Sequence, residues 1–167
     1  MPTGNSVVKE GVAAGLIGAM AIAIWFAIID LTRGVPFETP IMLGNAVAST
    51  FLPGDTVSPA GAFLGYTLFH FTVFVIVGIL FSWAVNSAER APWVLIGPLM
   101  LFVAFEIGFI GFTQMLSRGM GNLSWLQVFV ANLIGAGAMM FYMWKQHPRL
   151  SARVDRVLAG DPEARQP

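Results

Sequence analysis

The chain has 167 residues, of which 56% are hydrophobic and 11% charged, with nine basic residues, nine acidic residues and no cysteine. A soluble domain carries about 25% charged residues, so this composition cannot cover a water-facing surface, and a net charge of zero leaves no footprint for nucleic acid. The missing cysteine removes disulfides, thiolate-bound zinc, iron–sulfur clusters and thiol nucleophiles together.

Four apolar runs are long enough to cross a hydrocarbon core of roughly 30 Å, at residues 7–31, 60–85, 92–116 and 125–145. After a short leader, MPTGNS, the first run resembles a secretory signal only in the AIA at residues 21–23. Lys9 is neutralised by Glu10 and the run is too long for a signal core, so it reads as a retained transmembrane helix. Gly11, Gly15, Ala19, Ala23 and Ala27 recur along it every four residues. Such a small-residue face lets a second helix approach closely, within the bundle or from a partner protein.

Residues 32–59 form the longest connection, punctuated by Pro and Gly at both ends. Within it, residues 41–52 suit a short helix on the extracytoplasmic surface, or a re-entrant segment lining a cavity. The second spanning helix follows at 60–85. Pro92 suits the first turn of the third, and Ser124 suits the N-cap of the fourth. Residues 1–146 thus form one four-helix transmembrane domain, and Pro148 opens a cytoplasmic basic tail at 147–167. Arg149, Arg153 and Arg156 share one side of that tail, which either rests on anionic lipid headgroups or is simply solvated.

The basic residues set the orientation. With both termini inside, Lys9, Arg90, Lys145, Arg149, Arg153, Arg156 and Arg165 are cytoplasmic, and only Arg33 and Arg118 lie outside. Trp83, Trp93 and Trp144 then sit at inner helix ends and Trp125 at an outer end, as interfacial anchors do; Trp25 lies deeper. The expected location is a bacterial cytoplasmic membrane, N-in and C-in.

Ionisable groups inside a membrane face protein or water, because a carboxylate at the centre costs about 2.5–3.5 kcal/mol on insertion scales. Glu106 and His70 lie near mid-run in the third and second helices, and Asn132 in the fourth. At 1.5 Å per residue all three sit about 3–5 Å outward of centre. Tyr66 and Thr67 lie one turn above His70, and Thr113 and Gln114 two turns above Glu106. Asp30 and Gln127 complete a polar rim, while residues 74–81 and 93–103 are apolar. The expectation is a polar pocket opening outward over an apolar floor.

Several uses fit that pocket. A structural layer would fix helix pairing. Alternatively His70 is an axial ligand of a single-His tetrapyrrole, or one side of a metal or small-molecule site. A bis-His haem needs a second mid-membrane His, and His147 lies beyond its helix end. His70 and Glu106 alone cannot supply three or four zinc ligands. A proton or ion relay through the same pair lacks polar groups in the inner half. The chain carries no phosphate loop, zinc-protease motif or nucleophile elbow. The sequence therefore points to a non-enzymatic accessory or assembly subunit of a larger membrane complex, with ligand binding or ion handling as alternatives. Met139, Met140 and Met143, beside Ala131 and Gly135, either pack plainly within the bundle or offer an adaptable surface to a partner.

Overall fold

The computed structural model describes residues 4–52, 56–88 and 125–148. Within them the chain is all-helical, with four helices: α1 (Gly4–Thr32), α2 (Glu38–Phe51), α3 (Pro59–Ala88) and α4 (Trp125–Gln146). α1, α3 and α4 are long and apolar enough to cross a membrane, whereas the 14 residues of α2 are not. The expected helix at 92–116, with Glu106, Thr113 and Gln114, lies outside the described residues, as does the tail from Arg149.

α1 is the hub. It packs on α3 along one side and on α4 along another, while the backbones of α3 and α4 scarcely approach each other among the described residues. The α1–α3 contact is made by backbone. A Cβ on Gly15 would fall 2.7 Å from Val75 Cα and from the Phe74 carbonyl carbon, and one on Gly78 would fall 2.8 Å from Gly15 Cα. Gly11 closes the same seam against Gly78 and Ile79. The small-residue stripe is therefore used inside the bundle, and only in part, because Ala23 and Ala27 do not continue the seam.

Toward α4 the surface is made by side chains. Ile22 and Phe26 pack with Val128 and Ala131, and Ala14 packs with Met139 and Met143. Phe74 of α3 reaches both clusters. Of the two readings of the Met cluster, plain packing is the one that describes Met139 and Met143, which are buried in this core. Trp25 ties the two helices at the other end, its Nε1 donating to the Gln127 carbonyl oxygen at 3.1 Å.

The turn between α1 and α2 follows from Gly34. The Val35 N–H donates to the Asp30 carbonyl and the Gly34 N–H to that of Leu31, with Gly34 left-handed at φ 75°. This is the Schellman ending of a helix. α2 then starts from Phe37, also left-handed at φ 66°, whose side chain cannot cap a helix. Asp30 caps it from α1 instead. Its carboxylate accepts the Thr39 N–H at 2.9 Å and the Thr39 hydroxyl at 2.6 Å. An N-cap oxygen ordinarily serves that same second position.

α2 packs one face on α3 and leaves the other exposed. Its Thr39, Leu43, Gly44 and Ala46 face is buried, and Gly44 sits so close to Ala62 of α3 that a Cβ would fall 2.9 Å from Ala62 Cα. α3 is opened by Ser58, whose hydroxyl accepts the Gly61 N–H at 3.1 Å, with Pro59 in the first turn.

Candidate functional site: a cavity between the first three helices

From the glycine seam at Gly15 and Gly78, the antiparallel α1 and α3 continue toward the Asp30 end. At Ala19 the seam gives way to a side chain, with His70 Nε2 lying 3.2 Å from the Ala19 carbonyl oxygen. A carbonyl only accepts, so this nitrogen carries the proton. His70 is fixed further by rings on its own helix, Phe74 at 4.8 Å and Tyr66 at 5.6 Å between centroids.

Beyond His70 a cavity of about 330 Å³ opens, with Ala23 and Ala27 on the α1 wall and Phe63, Tyr66 and Thr67 on the α3 wall. The α1–α2 corner closes its far end with Asp30, Phe37 and Thr39. Phe37 meets Phe63 edge-on at 5.4 Å. A bulky residue in the left-handed region is an outlier; here the Asp30–Thr39 bonds hold the corner that imposes it.

The wall is mainly apolar, and most of its polar atoms are committed. Asp30 and Thr39 are buried and bonded to each other, and the Thr67 hydroxyl donates to the Phe63 carbonyl at 2.7 Å. The Tyr66 hydroxyl makes no hydrogen bond among the described residues.

The site thus gathers His70, Tyr66, Thr67 and the rim residue Asp30 from the set expected by sequence, and adds Thr39 and Phe37. Asn132 is not part of it: α4 contributes no residue to the cavity, and the hydrogen bond of His70 runs to α1. Asn132 has a partner of its own. Axial ligation through Nε2 of His70 would require breaking the bond to Ala19. Among the described residues, no three His, Asp or Glu side chains come together to hold a metal ion.

The other end of the bundle corrects one expectation. Its half of the bundle is not uniformly apolar, because Glu10 of α1 gathers a polar cluster from α3 and from the end of α4. Glu10 Oε2 lies 3.5 Å from Ser82 Oγ, 3.4 Å from Asn86 Nδ2 and 3.3 Å from His147 Nε2. Ser82 and His147 are buried. Asn86 also donates to the Ser82 carbonyl at 2.9 Å. The i, i+4 pair Ser82 and Asn86 at a helix end was the available signal. Between this cluster and His70 stand Phe74, Val77 and Phe81, so the described residues hold two separate polar sites rather than one path. Comparison with protein families, with curated proteins and with solved structures finds no match to this chain.

Proposed function

We propose that the chain is a bacterial cytoplasmic-membrane protein with four crossings and both termini inside, and that its outer cavity binds a small lipophilic molecule. The distribution of basic residues supports the orientation. The helix directions support the crossing at 92–116. α3 ends near Glu10, whereas α4 starts near Trp25, so the chain between them joins opposite ends of the bundle.

The observation that carries the binding reading is the 330 Å³ apolar cavity between α1 and α3. Small-molecule sites occupy about 300–1,000 Å³ and are mostly apolar with a few placed polar groups. The test is equilibrium dialysis of 2-ethylnaphthalene between nanodiscs holding the protein and empty nanodiscs. Retention above that of empty discs is expected, and Ala27→Phe, which fills the cavity, should abolish it. Equal uptake by both kinds of disc would refute the reading.

A second reading, an accessory subunit of a larger membrane complex, is favoured by Met140 and Phe141. Both are exposed on α4 beside the buried Met139 and Met143. Co-migration of the chain with a much larger assembly on a native gel would support it. Migration as a small oligomer would remove it.

A further inference from the structure

Resting on the reading of the cavity as a lipophile site, we propose that the Tyr66 hydroxyl is its recognition group. The ligand class is a neutral ring system or chain carrying one carbonyl oxygen. The assignment follows from what each polar atom in the wall is already doing. The Asp30 carboxylate accepts from Thr39, the Thr67 hydroxyl donates to Phe63, and His70 Nε2 is held by Ala19. Among the described residues of the wall, Tyr66 alone offers a side-chain donor that makes no hydrogen bond. Its ring is already oriented against His70, so little freedom is lost on binding.

Charge narrows the class further. Among the described residues no Lys or Arg lines the cavity, and their one carboxylate there is buried with both oxygens bonded, so a charged headgroup finds no counter-ion among them. The wall also reaches an exposed side of α1, where Met20 and Ile24 are each about half exposed near the middle of this membrane-crossing length of helix. A ligand entering there comes from the bilayer. A dry cavity of about 150 Å³ accepts benzene; one of 330 Å³ accepts a two-ring compound.

The experiment compares 2-acetylnaphthalene with 2-ethylnaphthalene, which share ring and shape and differ in the carbonyl oxygen. Each is dialysed between protein-bearing and empty nanodiscs, with wild type and Tyr66→Phe. Wild type should hold the ketone about three- to tenfold more tightly than the hydrocarbon, the range for one neutral hydrogen bond. Tyr66→Phe should equalise the two by weakening the ketone and leaving the hydrocarbon unchanged. Equal retention by wild type, or a ketone preference that survives Tyr66→Phe, overturns the Tyr66 assignment while leaving the lipophile site standing. Retention of neither probe above empty discs overturns both.

Discussion

Replacing Gly15 by Ala adds one methyl group where α1 and α3 touch. Its carbon would lie 2.7 Å from the Phe74 carbonyl carbon and from Val75 Cα. Carbon atoms rest about 3.5–4.0 Å apart, so the shortfall is about 1 Å. Both neighbours are backbone and cannot rotate aside, so the helices must separate. A gap of that size forfeits a quarter to a half of each contact, or about 1.5–3 kcal/mol over some forty atom pairs at ~0.15 kcal/mol each. The better helix propensity of Ala returns about 1 kcal/mol. One turn along, the 3.2 Å contact of His70 with Ala19 would open to about 4 Å and cease to be a hydrogen bond. The net loss is about 2 kcal/mol. Gly65→Ala and Gly137→Ala are the controls, because a Cβ at either meets nothing within 4 Å among the described residues. They should be neutral or slightly stabilising. The assay is SDS titration of the purified protein in dodecyl maltoside, followed by tryptophan fluorescence. If Gly15→Ala unfolds at the same SDS fraction as Gly65→Ala, the backbone seam is not what joins these helices.

Three further outcomes are expected. Asp30→Ala strips the acceptor from two buried donors on Thr39 and should cost about 2–3 kcal/mol, whereas Asp30→Asn keeps one acceptor and should cost less; equal SDS midpoints for the two variants would discredit the capping role. At the opposite end the Glu10 contacts are long, so Glu10→Ala should cost only about 1 kcal/mol. A double-mutant cycle with His147→Ala should then show a coupling of about 0.5 kcal/mol, and strict additivity would mean that the pair does not interact. Because the chain has no cysteine, Arg33→Cys and Lys9→Cys give clean probes of topology. A membrane-impermeant maleimide added to intact cells should label only the first; labelling of Lys9→Cys would reverse the orientation.

Hydropathy made α1, α3 and α4 legible, because runs such as 60–85 carry too few charges to be anything else. Side-chain partners were harder to read. The stripe from Gly11 to Ala27 is uniform in sequence, yet His70 divides it into a closed seam and a cavity wall. Periodicity cannot show that division, since it depends on which residue of α3 comes opposite Ala19. Asp30 could be recognised as a polar rim residue, but its partner is fixed by the left-handed Gly34, which folds α2 back onto the carboxylate. Glu10 was hidden by its neighbour Lys9, and its partner His147 lies 137 residues away. Hydrophobic patterns describe faces. They do not describe which distant ends meet.

The position of α1 as hub bears on how the protein is made. α1 emerges from the ribosome before each of the helices it contacts. Its Gly11–Gly15 seam waits for residues 74–79, and Trp25 waits for Gln127, 102 residues later. Contacts of such separation form late, after the intervening chain has been ordered. Throughout that interval the backbone of the seam is bare of side chains, exposed to lipid or to the insertion machinery. The residues that let the finished helices pack most tightly are thus the ones that leave the nascent protein least protected.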